Sequence, residues 1–420
     1  MSSIDSGAAG CSETTGETLR VLQDLLVAIV KSNRFYQGKL ADYVNQPLPL
    51  SLDDFSARVP LTTKVELVAD QAAYPPYGSN LSCLLTGYTR CHQTSGTTGN
   101  PIRWLDTAES WSAMTDDWVE ILKAAGVSRE DRIFFAFSFG PFLGFWLAFE
   151  AAGRLGCLAI PGGGMSSTQR VRVLLEHRCT VLCCTPSYAL HLAETSRTLG
   201  LDPNQGRVRL LVVAGEPGGS IPSVRKQLSA AWNGARVFDH HGMTETGPVT
   251  YENPKNPGDL LILERSFFAE VIDPLTTQPV MEGQRGELVL TTLRRFGSPL
   301  IRYRTGDLVL RRHLQGRQVL EGGILGRVDD MVVVRGVNVY PSALDALIRT
   351  VEGTGEYRVT VDRRASLIEL SIELEGAPSV ALAVAQSLQY SLALRVAVVP
   401  VAHGSLPRFE LKARRWQTTG

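Results

Sequence analysis

The sequence predicts an α/β protein: a large N-terminal domain with parallel-sheet α/β layers and a β-rich subdomain, then a small mobile α+β lid. Three observations carry this. Between about residues 105 and 240, short apolar runs (RIFFAFSF, CLAIP, TVLCCT, RLLVVAG, ARVFDH) alternate with helical patterns such as RVRVLLEH and PSYALHLAETSRTL, the signature of parallel strands with crossover helices. After Thr250 the texture shifts to LLILE, GELVLTTL and DLVLR with turn residues between them, as in an antiparallel region. From about Arg327 the order is VVVRG, a helix over 342–351, YRVTVDR, LIELSIEL, a helix near 380–390, and RVAVVPV, two helices on a small sheet.

The chain has 420 residues, more than one domain usually holds. The expected domains are 1–326 and 327–420, joined at GRVDD, with residues 1–16 expected to be disordered because they are small and polar. Lys+Arg and Asp+Glu are both 42, a balance that points away from nucleic acid or an anionic membrane and toward small ligands. Seven cysteines without a C-x-x-C spacing fit a reducing compartment. The first residues lack a basic start followed by an apolar run, so the expected location is cytoplasmic. The uncharged stretch IFFAFSFGPFLGFWLAF, broken by Gly140, Pro141 and Gly144, reads as buried strand, loop and helix rather than a span.

The stretch QTSGTTGNP (93–101) packs hydroxyls and glycines into one loop. Glycines let a backbone turn its N–H groups outward, and the hydroxyls add donors, so such a loop suits an anion. No Gly-Lys-Ser/Thr follows, so it is not a Walker loop, and taken alone it reads first as an ordinary solvated loop. Downstream come AGEPGG (214–219), DHHGMTETGP (239–248), YRTGD (303–307), GRVDDMVVVRGVNVYP (326–341) and LPRFELKARR (406–415).

In this order these segments resemble the adenylate-forming enzymes: acyl-CoA synthetases, carrier-loading adenylation domains and luciferases. RGVNVYP, CCTPSYA and the short lid resemble the phenylacetate-CoA ligase branch. The resemblance implies ATP and Mg²⁺ as cofactors and coenzyme A as co-substrate. A carboxylate would attack the α-phosphorus of ATP, so two anions must meet, and the site needs cations and oriented donors where charge accumulates. Thr94, Ser95, Gly96, Thr97, Thr98 and Gly99 would cradle the β- and γ-phosphates. Asn100 stands where the family commonly has Lys, with Arg103 as a candidate substitute.

Further along, Gly215, Glu216 and Pro217, and Asp239, His240, His241, Gly242 and Met243, would line the nucleotide. Thr244 would contact the α-phosphate and Glu245 would hold Mg²⁺, oxygen ligation suiting a hard cation. His241 occupies the place of the aromatic that stacks on adenine, usually Tyr. Asp307 would bind the ribose hydroxyls, two donors meeting one bidentate acceptor. Arg327 would reach the ribose and phosphate, and Asp329 would be the hinge. Lys412 would neutralise charge in the first step, and Arg335, Gly336, Val337 and Asn338 would line a pantetheine tunnel in the second.

For the acyl group the sequence offers Phe139, Phe142, Phe145, Trp146, Gly215 and His240, suited to a flat aryl acid, although aromatics at this spacing also build cores. His177, Cys179, Cys183, Cys184 and His191 invite a zinc reading. The adjacent Cys183 and Cys184 would face opposite ways in a strand, so buried inert thiols are expected and no structural zinc. The expected activity is ATP-dependent, AMP-forming ligation of an aryl acid to CoA. A stand-alone adenylating enzyme serving a carrier protein or an amine in secondary metabolism, and a catalytically silent nucleotide-binding relative, stay open at this stage. The branch also implies a homodimer.

Overall fold

In the computed structural model the described residues are 6–43, 45–94, 101–201, 206–335, 337–363, 368–409 and 413–419. The chain begins with α1 (Ser6–Ser32), α2 (Arg34–Lys39), α3 (Leu52–Arg58) and α4 (Lys64–Ala73), then the antiparallel hairpin β1 (Tyr88–Gln93) and β2 (Arg103–Thr107), then α5 (Ala108–Ala124). Helix α1 starts at Ser6, inside the stretch 1–16 expected to be disordered, of which residues 1–5 lie outside the described residues. A helical backbone carries from the amphipathic LRVLQDLLVAIV back through SGAAGCSETTGE.

Next come β3 (Arg132–Phe135), α6 (Trp146–Arg154), β4 (Leu158–Pro161), α7 (Ser167–Glu176), β5 (Val181–Cys184), α8 (Pro186–Thr198), β6 (Leu210–Val213), α9 (Pro222–Ala231) and β7 (Arg236–Asp239). Strands β8 (Gly242–Met243), β9 (Gly247–Pro248), β10 (Thr250–Glu252), β11 (Leu260–Ile262), β12 (Phe267–Ile272), β13 (Arg285–Thr292), β14 (Tyr303–Leu314) and β15 (Arg317–Leu320) follow. The chain closes with β16 (Gly326–Arg327), β17 (Val332–Val334), β18 (Val337–Val339), α10 (Pro341–Ile348), β19 (Tyr357–Asp362), β20 (Glu369–Glu375), α11 (Pro378–Leu392), β21 (Ala397–Val401) and β22 (Trp416–Thr419). Many helix starts are written in the sequence. Thr63 with Glu66 and Ser166 with Gln169 form capping boxes, and Pro186, Pro222, Pro341 and Pro378 occupy first turns.

These elements gather into two compact units. One comprises Met1–Glu130, Phe139–Leu158 and His240–Glu321. Its antiparallel sheet runs β10-β11-β15-β14-β13-β12, and Leu22, Leu25, Leu26, Tyr36 and Phe55 form a core with Leu293 and Ile301. No helix among the described residues is long and apolar enough to cross a membrane.

The other unit comprises Asp131–Ser138, Ala159–Asp239 and Gly322–Gly420. Its five-stranded sheet has the order β4-β3-β5-β6-β7, with β3, β5, β6 and β7 parallel in turn. Strand alternation is visible in β5: Leu182 and Cys184 join the core cluster of α7, α8 and α9, whereas Val181 and Cys183 lie outside that cluster, equally buried. Sheets buried on both faces read as continuous apolar runs, which is why the sequence announced these strands. The C-terminal stretch has its own core, in which Val359, Ile372, Leu374, Val384 and Leu388 are sealed.

At the carboxyl edge of the parallel sheet, the loop after β6 meets the end of β7. Ser220 Oγ donates to Asp239 at 2.5 Å, and a Cβ on Gly219 would lie 2.3 Å from the Asp239 carboxyl group. Only glycine lets the two segments touch. Gly219→Ala should therefore cost about 1–3 kcal/mol of stability through overpacking, read as a lower melting temperature; an unchanged melting temperature would show that this contact is loose.

Candidate active site

The antiparallel unit carries one cluster of the expected residues. Thr94, buried at the end of β1, accepts from the Ile102 N–H at 3.0 Å through its hydroxyl, while its own N–H donates to the Ile102 carbonyl at 2.9 Å. These bonds close the base of the loop. Ser95, Gly96, Thr97, Thr98, Gly99 and Asn100 lie outside the described residues, as do Gly336 and Lys412. Arg103, the candidate substitute for a lysine at the loop, donates from its guanidinium to the Pro76 carbonyl at 3.1 Å.

Glu245 is buried, and its Oε1 accepts from the Tyr303 hydroxyl at 3.1 Å, with the Lys64 ammonium 4.0 Å away. A desolvated carboxylate whose nearest cation is at the limit of ion-pair range fits an added cation. Among the described residues no group of three or more His, Cys, Asp or Glu side chains is placed to hold a metal. A Mg²⁺ at Glu245 would therefore take its other oxygens from nucleotide phosphates and water, the usual manner of that ion. Thr244 is fixed through its backbone: its carbonyl accepts from Arg295 at 3.0 Å, and Arg295 makes a bidentate pair with Asp106 at 2.6 and 2.7 Å.

Asp307 is not a solvated turn residue. It is buried within β14, inside an irregularity in the β13–β14 register that spans residues 305–307. Gly306, with φ of 75°, takes the backbone through the left-handed region there, and its N–H donates to Glu287 at 3.0 Å. The bulge turns the Asp307 carboxylate to within 3.0 Å of His241 Nε2. Two residues expected at the nucleoside are thus brought together. Gly242 and Met243 form β8, paired with β9.

His240, also expected at the acyl group, is buried, and its Nδ1 lies 2.6 Å from the Thr250 carbonyl, which makes it the donor. Its ring packs 4.3 Å from Trp118, which also meets Phe145 at 5.8 Å. Phe139 sits edge-on to Trp146 and Phe149 at 4.8 and 5.2 Å, and Phe142 is half-buried. Sequence reasoning missed Trp118, Lys64, Arg295 and Asp106; Tyr303 was quoted in YRTGD without a role.

The parallel-sheet unit carries the rest. Gly215 has φ of 94°, and Pro217 follows Glu216 in the turn that leads to Asp239's partner Ser220. Both oxygens of Glu216 are engaged, Oε1 by the Ser187 N–H at 2.7 Å and Oε2 by the Ala413 N–H at 2.8 Å. Arg327 donates to Asp329 at 2.9 Å. Arg335, with φ of 49°, pairs with Glu369 at 2.6 Å, and Val337 and Asn338 lie in β18 opposite β17. The thiols of Cys183 and Cys184 are raised well above the ordinary range by burial, and that of Cys179 to about 11 for the same reason. His177 is exposed at the end of α7, and His191 Nε2 is 3.2 Å from Ser167 Oγ.

Burial holds the His240 imidazole far below its ordinary 6.5, at about 3, so the folded protein carries it neutral. Between those values the unfolded chain binds the extra proton, and stability falls as pH falls. Well inside that window the loss from this group is about 1.4 kcal/mol per pH unit. His240→Gln, whose amide can still donate to Thr250, should lose less melting temperature than wild type between about pH 6.5 and 4.5. Parallel melting curves for the two proteins would contradict the shifted imidazole.

Residues 93–293 match the AMP-binding enzyme family, and residues 336–417 its C-terminal domain. The phenylacetate-coenzyme A ligase of Escherichia coli strain K12 is 33% identical over 379 residues, 85% of this chain and 84% of that protein. That of Thermus thermophilus is 32% identical over 372 residues, 86% and 82%. Among solved structures, 2-hydroxyisobutyryl-CoA ligase in its postadenylation state with 2-HIB-AMP superposes with a TM-score of 0.91 at 31% identity, covering 97% of this chain and 90% of that one. The same ligase with 2-HIB-AMP and CoA in the thioesterification state gives 0.73 at 32% identity, with the same 97% and 90% covered. With these matches along both parts, the chain belongs to the AMP-binding, adenylate-forming enzyme family, in its phenylacetate-CoA ligase-like branch.

Proposed function

We propose that this protein activates a carboxylic acid, of aryl type, with ATP and transfers the acyl group to coenzyme A. The observation that carries the reading is the buried grouping in the antiparallel unit: Glu245 with Tyr303 and Lys64, Thr244 fixed by Arg295, and His241 against Asp307. In the first step a carboxylate oxygen bonds to the α-phosphorus, the bond to the β-phosphate breaks, and pyrophosphate leaves. Asp307 accepts from the ribose hydroxyls and His241 offers its ring to adenine. Thr244 donates its hydroxyl to the α-phosphate. Mg²⁺ bound at Glu245 would neutralise phosphate charge. Lys412 supplies a cation to the attacking carboxylate and the α-phosphoryl group, both of which gather negative charge.

In the second step the thiol sulfur of CoA bonds to the acyl carbon, the thiol loses its proton, and AMP leaves. Asp329 is the hinge about which residues 327–420 turn, bringing Arg335, Gly336, Val337 and Asn338 to line the pantetheine tunnel. The drop in TM-score from 0.91 to 0.73 between two states of one relative at equal coverage is in keeping with such a turn. The aromatic group Phe139, Phe145, Trp146 and Trp118 supports a flat acyl group, as do relatives named for phenylacetate.

Purified protein with Mg-ATP and a panel of benzoates, hydroxy- and aminobenzoates, phenylacetates and fatty acids, with and without CoA, tests the reading. Acid-dependent pyrophosphate release is expected, strongest with aryl acids, with a CoA thioester as product. Lys412→Ala should lower it by about a hundredfold or more, the scale of losing one transition-state charge contact. Release that proceeds equally in Lys412→Ala would remove that residue's role. Adenylation without a CoA thioester would move the acceptor to a carrier protein or an amine.

A further inference from the structure

The C-terminal segment is tied to helix α8 on both sides of residues 410–412. On one side Arg408 donates from Nε and NH2 to the two oxygens of Glu194 on α8, both at 3.1 Å. The same guanidinium bonds Glu375, at the end of β20, at 2.9 and 2.7 Å. On the other side the Ala413 N–H donates to Glu216, whose second oxygen holds the Ser187 N–H in the first turn of α8. Burial opposes the charge on Glu375, yet Arg408 and the Leu406 N–H hold its carboxyl down to about 2. The arginine therefore keeps a partner in its own part of the chain whatever happens at Glu194. Glu194 is the separable half of this anchor.

We propose that Glu194 and Glu216 are positioning residues for the adenylation step, fixing to α8 the two flanks of the segment that carries Lys412. The proposal rests on the role given to Lys412 above. The separation from Lys412 is short: Arg408 is four residues before it and Ala413 is the next residue. Both flanking residues are bonded, Arg408 to Glu194 and the Ala413 N–H to Glu216, so a change at either anchor bears on the stretch of chain between them. A residue needed only for folding would affect both half-reactions alike. An anchor used in one step only would split them.

The test uses the full chain and two half-reactions: acid-dependent ATP–pyrophosphate exchange, and thioester formation from supplied acyl-adenylate and CoA. Glu194→Ala should lower the exchange reaction roughly fivefold, the upper end for a partly exposed charged pair, while thioester formation stays at the wild-type rate. Combined with Arg408→Ala it should add no further loss from the shared contact. Equal losses in both half-reactions, or none in exchange, would overturn the proposal. Hydrogen exchange supplies a readout that needs no substrate: Glu216→Gln, with one acceptor oxygen for two N–H donors, should speed exchange at the Ala413 amide. If wild type exchanges pyrophosphate with no acid, the functional reading fails, and the anchor is judged by that amide alone. Unaltered protection of Ala413 in Glu216→Gln then overturns it.

Discussion

The buried ion pair between Arg295 and Asp106 holds the antiparallel half of the site together. Asp106 lies on β2, just past the glycine-rich loop; Arg295 follows β13; and the guanidinium's remaining contact goes to the carbonyl of Thr244 in HGMTE. Three segments distant in sequence are thereby fixed at one point. Both side chains are almost wholly out of water, which is costly for two charges unless geometry and additional hydrogen bonds offset it. Here the pair is bidentate, a third N–H is used by the backbone, and the Trp104 ring lies 5.5 Å from the guanidinium carbon. Removing one partner of such a pair typically costs about 3–5 kcal/mol, because the other charge stays buried. The backbone of the catalytic motif is therefore held by charge as much as by packing.

Around that point the two candidate carboxylates, Glu245 and Asp307, are presented by different devices. Glu245 is oriented by a neutral hydroxyl, Tyr303, and by a cation, Lys64, that is still partly in solvent. Neither partner saturates it, which leaves capacity for a metal. Asp307 is aimed by a backbone irregularity, with Gly306 turning the chain and Glu287 receiving the exposed N–H. Pairing His241 with Asp307 joins two of the residues proposed to meet the nucleoside.

What was legible in the sequence follows the same physics. Strands β3, β5, β6 and β7 are buried on both faces, so they appear as unbroken apolar runs, and the helices between them carry caps and first-turn prolines. Glu245 and Asp307 stood out as candidates because they sit within recognisable motifs, and the fold buries both. Lys64, Asp106, Arg295 and Trp118 were not. Their partners stand far away in sequence, 189 residues for Arg295 and Asp106, and no local pattern encodes a meeting made by the tertiary fold. The bond from Arg103 to the Pro76 carbonyl, 27 residues away, is another such meeting.

The contacts of the C-terminal stretch with α8 and α9 differ in kind from the cores on either side. Its own apolar residues are sealed among themselves, Val359, Ile372, Leu374 and Leu388 among them. Toward α9 the links are polar: Ser223 to the Ala346 carbonyl and Gln227 to the Arg349 carbonyl, both at 3.3 Å. Toward α8 it is the Glu194–Arg408 pair, and toward the loop after β6 the Glu216–Ala413 bond. Each such bond is worth only about 0.5–1.5 kcal/mol net, since water replaces it on separation. A body with a closed core and a polar face can leave its neighbour without exposing apolar surface, and the same bonds give it one orientation when it returns. On the proposed reading, in which Lys412 serves one step and is withdrawn for the next, both properties are needed, and a hydrophobic interface would supply only the second.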